Sequence, residues 1–292
     1  MKYANLHMHS VYSDGIYTPE ELCALAKGKG YKAVALSDHE TVRGVDRMRA
    51  AAAAQGLGFI QAMETYGHGF GQREGAFHVV AMDFDPLHPQ MKAYIDRCEE
   101  LALDLTVRRL EHCLKEGHIR DIAWRDVEER FPEVKWYCNE HVFKLMQERQ
   151  GVSDRDYWKF IRFFNGAPVK KAGSTSLELP ELFALIKAAG GVAILAHPHA
   201  QTQYIPEMVK MGLGGVETDH PDMDEHDKAE ARRIAQELGL YRSGGTDHTG
   251  LLGNNMSRGD IPGGSEITPY DADVENGADQ DEFMELLSRS RG

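Results

Sequence analysis

The sequence predicts an α/β protein with a parallel sheet, either closed into a barrel or open and doubly wound. Short segments rich in Val, Ile and Ala alternate with helical patterns along most of the chain, as in repeated strand–helix units. The length of 292 residues is one that an α/β barrel takes as a single domain. A long, charged stretch at 86–171 breaks the alternation, and we expect it to be an insertion.

The strand and helix patterns follow one another in a regular order. The predicted strands are Tyr3–His9, Ala33–Ser37, Gly58–Glu64, Phe77–Phe84, Val192–His197, Gly215–Thr218 and Leu240–Thr246. Apart from the first helix, the predicted helices are about Val42–Gln55, Leu179–Ala189, Ile205–Met211, Glu225–Leu238 and Asp281–Ser290.

The first helix has the clearest start signal, in the segment TPEELCALAKGKG. Thr18 can cap the helix, Pro19 suits the first helical position, and Glu21 completes a capping box. Gly28 or Gly30 is expected to end it.

The insertion is expected to be helical, because it contains periods such as DRCEELALDLTVRRLEHCLKE and NEHVFKLMQERQ and no convincing strand. We therefore divide the chain into a barrel of residues 1–85 and 172–292 and a helical insertion of residues 86–171. The insertion would pack over one end of the sheet as a lid that sets specificity. Residues 259–280 have the composition of a loop.

Composition and charge exclude several kinds of partner. The net charge of −13 repels a long polyanion, so we expect no binding to long nucleic acid. No apolar run approaches the roughly 18 residues that span a bilayer, and the N-terminus lacks a signal-peptide pattern, so we expect no membrane partner. Four widely spaced cysteines predict reduced thiols and, with the other features, a cytoplasmic protein. The oligomeric state stays open.

A pair of histidines lies in the first predicted strand, and the chain has 14 histidines in all. Residues two apart in a strand point to the same side, so His7 and His9 project together while Met8 faces the other way. Two neighbouring imidazoles repel each other when both are protonated. A hydrogen-bonded structural pair and a shared cation both remove this repulsion, and the pair alone does not decide between them.

Ionisable residues recur where the predicted strands end. They are Asp38 and His39 after the second strand, Glu64 after the third, His78 on the fourth, His197 at the end of the fifth, and Asp247 with His248 after the last. Because the loops at the carboxyl ends of barrel strands form one active site, we expect these side chains to converge. The pattern therefore predicts a site for several metal ions.

The segment LHMHSVYSDGIYTPEELCALAKGKGYKAVALSDHETVRGV resembles the opening of the PHP family, named for polymerase and histidinol phosphatase. The blocks of that family occur here in order: H-x-H with S-D-G, D-H-x-T-x-x-G, a Glu after the third strand, A-H-P, and G-[ST]-D. The resemblance covers residues 1–83 and 179–253. It implies a distorted seven-stranded (β/α) barrel that binds two or three divalent metal ions.

The resemblance implies three groups of metal ligands. The groups are His7, His9, Glu64 and Asp247; Glu64, shared as a bridge, with His78 and His197; and Asp14 with His39. Nitrogen and oxygen ligands of this kind suit Mn, Fe or Zn. Relatives usually place a histidine two positions past the last aspartate, whereas here His248 follows it directly. His248 is a ligand of the third ion only if a bulge or turn redirects its side chain.

The chemistry expected of such a centre is hydrolysis by a hydroxide shared between two ions, which also stabilise charge on the phosphoryl oxygens. The leaving group needs a proton, for which Asp14 and His248 are the first candidates, with His199 and His220 behind them. The candidates for binding the substrate are Arg43, Lys170, Lys171, His199 and Arg258.

The function that the resemblance implies is a metal-dependent phosphoesterase acting on a small phosphorylated metabolite, such as a nucleotide 3′-phosphate, a ribose phosphate or a cyclic phosphate. Histidinol phosphate and short oligonucleotides are alternative substrates in this family. Two further classes stay open: an inactive PHP binding module, and a metal-dependent hydrolase of C–N or carboxyl bonds. The near-complete ligand set argues against the first class. The second commonly has a carboxylated lysine, where this chain offers Glu64 and His78.

Overall fold

The computed structural model describes residues 2–247 and 276–289. Within these residues, seven strands form a nearly closed barrel accompanied by ten helices. The strands are β1 (Ala4–Asn5), β2 (Ala33–Leu36), β3 (Gly58–His68), β4 (Phe77–Met82), the short additional β5 (Leu177–Glu178), β6 (Val192–Leu195), β7 (Gly215–Asp219) and β8 (Tyr241–Gly244). The helices are α1 (Pro19–Gly28), α2 (Val45–Gln55), α3 (Pro89–Lys115), α4 (Trp124–Arg130), α5 (Asn139–Gln150), α6 (Tyr157–Phe164), α7 (Leu179–Ala188), α8 (Ile205–Met211), α9 (Glu225–Leu238) and α10 (Gln280–Arg289). Short 3₁₀ turns are Asp154–Asp156 and Thr202–Tyr204.

The barrel sheet runs in the order β1-β2-β3-β4-β6-β7-β8, and β5 pairs with β3 outside this path. The two ends of the sheet meet where the Leu6 N–H donates to the Gly244 carbonyl at 3.0 Å and the Asp247 N–H donates to the His7 carbonyl at 2.9 Å. The end of β8 therefore lies beside the chain that follows β1. The predicted barrel and each of its predicted strands are confirmed.

The direction of β4 differs from the expected parallel sheet. β4 is antiparallel to both β3 and β6, whereas the other neighbours along the barrel path are parallel. Residues 69–76 join β3 to β4 directly, and so short a connection cannot carry the crossover that parallel strands need. As a result, the start of β4 lies at the carboxyl ends of its neighbours, and His78 is its second residue.

The amino ends of the strands are closed by α10. Small inward-facing side chains such as Ala35 and Ala62 share one buried cluster with Phe283 and Leu286 of this helix. A Cβ added to Gly58, the first residue of β3, would lie 3.2 Å from the Phe283 ring. The open end of the barrel is therefore the opposite one, where the parallel strands finish.

The local signals for α1 are confirmed. The Glu21 N–H donates to Thr18 Oγ1 at 3.3 Å, the Thr18 N–H donates to Glu21 Oε2 at 2.8 Å, and the helix ends at Gly28. The four cysteines are free and buried, as expected of reduced thiols. In the described part of the chain, no helix has both the length and the apolarity to cross a membrane. The predicted loop at 259–280 lies almost wholly outside the described residues, as do His248 and Arg258.

The stretch 86–171 contains α3 to α6 and no strand. Its helices share a buried core that includes Leu110, Phe143 and Phe164, and Tyr12 from the loop after β1 packs into the same core. The helices are thereby anchored to a loop that also carries candidate ligands. The division of the chain into a barrel and a specificity lid stays a prediction.

His141 of α5 fixes this anchorage through two hydrogen bonds. Its Nε2–H donates to the Val11 carbonyl at 3.0 Å, and its Nδ1 accepts the Cys138 N–H at 3.1 Å. Burial lowers the pKa of His141 to about 4. The ring therefore stays neutral in the folded protein at pH values where it is protonated in the unfolded chain.

This difference predicts an acid-sensitive contact. As the pH falls from about 6.5 towards 4, only the unfolded chain takes up the proton, so the free energy of unfolding should fall by up to about 3 kcal/mol. In a His141→Gln protein the amide can make both hydrogen bonds and does not titrate. Its free energy of unfolding should therefore fall less over the same pH range. Denaturant unfolding across this pH range measures the difference; equal slopes for the two proteins would show that His141 is not responsible.

Candidate metal centre

Two imidazoles face each other at the open end of the barrel. His7 and His9 follow β1 and are completely buried, with their Nε2 atoms 3.1 Å apart. Nδ1 of His7 lies 2.8 Å from Glu217 Oε1. Nδ1 of His9 lies 3.3 Å from Asp14 Oδ1. A carboxylate only accepts, so each ring carries a hydrogen on Nδ1 and directs Nε2 at the other ring. In the neutral rings two lone pairs this close repel each other, and a proton or a metal ion between them removes the repulsion.

Two carboxylate oxygens complete a compact set with these nitrogens. Glu64 Oε2 lies 3.4 Å from Nε2 of both His7 and His9. Asp247 Oδ1 lies 3.6 and 3.0 Å from the same two atoms. A tetrahedral ion bound at about 2.1 Å has ligand atoms about 3.4 Å apart. The four residues, called the first group below, therefore have the spacing that one divalent cation needs.

The other oxygen of Glu64 faces a different set of rings. Glu64 Oε1 lies 2.9 Å from His78 Nδ1 and 3.3 Å from His197 Nε2. His78 reaches this position because β4 runs in reverse, and His197 because it follows the end of β6. Glu64, His78 and His197 are called the second group below. One buried carboxylate thus joins both groups.

Asp14 and His39 extend the centre on the side of His9. His39 Nε2 lies 3.5 Å from Asp14 Oδ2. Its Nδ1 lies 3.1 Å from Glu64 Oε2 and 2.9 Å from the Tyr66 hydroxyl. Asp14 and His39 are two candidate ligands, whereas the first group has four. Fewer of the described residues are therefore placed to bind a third ion.

Asp38 holds the loop that carries Asp14, as expected of a residue outside the ligand set. Its Oδ1 accepts the Ser10 N–H at 2.6 Å and the Ser13 hydroxyl at 2.7 Å. These bonds fold the Ser-Asp-Gly turn back over His9, so Asp14 is positioned by its neighbours.

The centre concentrates negative charge. Burial opposes ionisation of Glu64, but the imidazoles around it, His39 first, hold its pKa well below the ordinary value. Burial likewise opposes protonation of His39 and His197, but Asp14 and Glu64 raise the pKa of His39 to about 10, and Glu64 raises that of His197 to about 9. The carboxylates are therefore ionised at neutral pH and attract positive charge, carried by protons or by metal ions that displace them.

Two more buried residues belong to the centre. Glu217, inside β7, was missed by the sequence analysis, although a glutamate within a buried apolar strand is itself a signal, since an unpaired buried charge is costly. His220 follows β7, and its Nδ1 accepts the Asp222 N–H at 3.1 Å. The buried His220 Nε2 has no hydrogen-bond partner among the described residues and lies 3.7 Å from Asp247 Oδ2. An orphaned polar atom at this position fits a centre that holds a further group.

The other predicted site residues lie in different surroundings. Arg43 donates to both carboxylate oxygens of Glu99, at 3.0 and 2.8 Å. His199 is exposed and pairs with Asp227 at 2.7 Å. Lys170 is exposed, whereas Lys171 lines a cavity. His248 and Arg258 lie outside the described residues. The proposed roles of all these residues stay predictions.

A cavity of about 360 Å³ adjoins the centre on the side of His39. Its wall includes Trp136, whose ring centroid is 5.5 Å from that of His39, and Tyr66, which contacts the same histidine. Glu40 forms part of the wall and accepts the Trp136 Nε1–H at 3.1 Å. The positive side chains of the cavity are Arg73, Arg109 and Lys171. The cavity thus offers flat faces and cations beside the candidate metal ligands.

The fold and this centre together define a metal-binding α/β barrel with its site at the carboxyl ends of the strands. Residues 5–146 match the family model of the PHP domain, which confirms the resemblance to the PHP family.

Three relatives match most of the chain. A phosphoribosyl 1,2-cyclic phosphate 1,2-diphosphodiesterase of Eggerthella lenta is 25% identical over 85% of this chain and 95% of its own. A 5′-3′ exoribonuclease of Haemophilus influenzae is 28% identical over 66% and 68%. A 3′,5′-nucleoside bisphosphate phosphatase of Chromobacterium violaceum is 24% identical over 83% and 86%.

Two solved structures share the fold at 24% identity. One, from Bifidobacterium adolescentis, is described as a candidate metal-dependent phosphoesterase; it covers 99% of this chain and 96% of its own with a TM-score of 0.76. The other, from Chromobacterium violaceum, is described as an amidohydrolase with bound sulfate and no metal; it covers 98% and 96% with a TM-score of 0.68.

Metal binding should stabilise the protein through the first group. After chelation and dialysis, Mn²⁺ at about 100 times its dissociation constant should raise the free energy of unfolding by about 2.7 kcal/mol, seen calorimetrically as a higher melting temperature. His9→Ala should lose most of this gain, because it removes one of the four converging atoms. Lys210→Ala, at an exposed pair on α8, should keep the gain. An equal gain in His9→Ala would place the ion elsewhere.

Proposed function

We propose that this protein is a metal-dependent phosphoesterase that hydrolyses phosphate esters of a small metabolite. The observation that carries the proposal is the shared Glu64 carboxylate, which faces a separate set of imidazoles with each oxygen. This arrangement suits two neighbouring cations, the device that many phosphatases use on both the attacking and the leaving oxygen. The names of the three relatives, all enzymes of phosphate esters, support the same class.

We expect two or three bound metal ions. Every converging ligand atom is nitrogen or oxygen, which suits Mn, Fe or Zn. The first group would hold one ion and the second group another. Asp14 and His39 would bind the third ion. Bound ions would supply an activated water and neutralise charge on the phosphoryl group. The chain's own part is to fix the rings and carboxylates before substrate arrives.

The protein must also provide a proton to the leaving group, or stabilise it. Burial raises the pKa of Asp14, but His39 and His9 outweigh this and hold it below its ordinary value, so Asp14 is suited to be a ligand rather than an acid. Burial lowers the pKa of His220 to about 4. With Nδ1 occupied as an acceptor, the neutral ring presents Nε2–H as a hydrogen-bond donor towards the centre. The neutral ring has no acidic proton to give, so we propose that His220 stabilises the leaving oxygen by donating this hydrogen bond.

The cavity beside His39 is the proposed seat of the leaving group. Its volume lies in the range of small-molecule sites, and its wall includes an indole, two phenols and three cationic side chains. Aromatic faces bind planar rings, and Arg and Lys bind a second anionic group. These features favour a nucleotide that carries a 3′-phosphate over a ribose phosphate, a cyclic sugar phosphate or histidinol phosphate.

A short-oligonucleotide exonuclease is the second candidate, because one relative has that name. The acidic net charge of −13 argues against a long groove for a polyanion but permits a short one. An inactive binding module is disfavoured, since both groups are complete in the described residues. Amide hydrolysis, suggested by the description of one structural neighbour, is the outcome to expect if phosphate esters are not cleaved.

Activity should depend on the first group. With Mn²⁺ present, the protein should release phosphate from a panel of nucleoside bisphosphates, sugar phosphates and cyclic phosphates. His9→Ala and Asp247→Asn should each reduce kcat by far more than tenfold, because each lost ligand disturbs activation of the water. Arg233→Ala, at a surface pair on α9, is the control and should remain active. Full activity in the ligand variants would refute the mechanism.

The role of the cavity can be separated from catalysis at Trp136. Trp136→Ala should raise KM for a nucleotide substrate about 5- to 100-fold, the cost of losing one stacked base. It should leave KM for glycerol phosphate nearly unchanged. Trp136→Phe keeps a stacking face but loses the hydrogen bond to Glu40. Its KM for the nucleotide substrate should be close to that of the wild type. Equal changes in KM for both substrates would mean that the cavity does not bind the base.

A further inference from the structure

The Glu217 carboxylate contacts one residue of each ligand group. Glu217 lies in β7 with no exposed surface. Its Oε1 lies 2.8 Å from His7 Nδ1, and its Oε2 accepts the His197 N–H at 2.7 Å. His7 belongs to the first group and His197 to the second. Glu217 therefore contacts both groups.

The contact with His7 selects one tautomer of the ring. Because a carboxylate only accepts, the hydrogen must be on Nδ1, and the lone pair is then on Nε2. Nε2 is the atom that faces His9, Glu64 and Asp247. With the other tautomer, His7 would direct an N–H into the first group and could not bind an ion there.

The contact with His197 holds a strained turn. His197 has φ of 27°, a left-handed conformation that is unfavourable for a residue other than glycine. The bond from its N–H to Glu217 Oε2 offsets part of this cost. This backbone conformation directs Nε2 of His197 at Glu64 Oε1, 3.3 Å away.

A direct ligand role for Glu217 is the competing explanation, since His7, Glu217 and His220 lie close enough together to hold an ion. Both oxygens of Glu217 already accept a hydrogen bond, however. His220 accepts the Asp222 N–H at Nδ1, so its Nε2 carries the hydrogen in the neutral ring. Neutral His220 therefore has no free lone pair for a separate ion, and Nδ1 of His7 is occupied by its hydrogen, which leaves Glu217 without an imidazole partner for such an ion.

We propose that Glu217 is a positioning residue that sets the tautomer of His7 and the turn at His197, and so aligns both groups for metal binding. Outer residues of this kind typically change metal affinity 10- to 100-fold. The inference rests on the metal binding of the proposed function. Its test reads ring protonation and affinity instead of phosphate release, so the two can fail separately.

The sharpest variant is Glu217→Gln, which preserves size. A glutamine has one acceptor and one donor, so it can satisfy the His7 N–H or the His197 N–H, but it must turn its NH₂ towards the other. Titration of the full-length protein with Mn²⁺ should show dissociation constants at least 10-fold higher than in the wild type, with unchanged stoichiometry at saturation. Glu225→Gln on α9, which is exposed and paired only with Lys228 among its described contacts, is the matched control.

Nitrogen-detected NMR of ¹⁵N-histidine-labelled, Zn²⁺-loaded protein supplies the second measurement. The wild type should show His7 protonated at Nδ1, and Glu217→Gln should shift or broaden this resonance. Wild-type affinity in Glu217→Gln, loss of a whole equivalent of metal at saturation, or a wild-type His7 protonated at Nε2 would each overturn the proposal. Should Glu217→Gln not fold, the wild-type spectrum alone still decides the tautomer.

Discussion

The structure depends on one constraint: imidazoles and carboxylates that are costly to bury must be buried next to one another. Glu64 is almost wholly inaccessible, and the charge of the surrounding histidines keeps it ionised there. The histidines in turn are held by carboxylates on their far sides, Glu217 for His7 and Asp14 for His9. Removing any one member would leave a buried group uncompensated, which is why the centre acts as a unit.

The barrel provides this arrangement by bringing distant segments to one end. The chain after β8 hydrogen-bonds to His7, which places Asp247 beside residues about 240 positions earlier in the sequence. The reversal of β4 is equally necessary, since a parallel fourth strand would carry its second residue to the end closed by α10. The departure from an all-parallel barrel thus serves the centre directly.

The stretch between 89 and 164 forms one wall of the cavity beside the centre. Arg109 of α3 and Trp136 of the α4–α5 connection line this cavity, and His141 connects α5 to the loop that carries Asp14. In the proposed function the cavity would bind the leaving group while the barrel acts on the phosphate, so the wall would set specificity. Substitutions in the wall that keep His141 are then expected to change the substrate without moving Asp14.

The sequence by itself determined the alternation of strands and helices, the capping of α1, and the membership of His7, His9, Glu64, His78, His197 and Asp247 in one candidate site, because periodicity, caps and strand ends are local properties of the chain. It could not determine the direction of β4, which depends on pairing with two neighbours. Nor could it show what Glu217 contacts, because its partners lie 210 and 20 residues away. Only the tertiary structure decided which nitrogen of His7 faces the centre, since the other nitrogen contacts Glu217 of the distant strand β7.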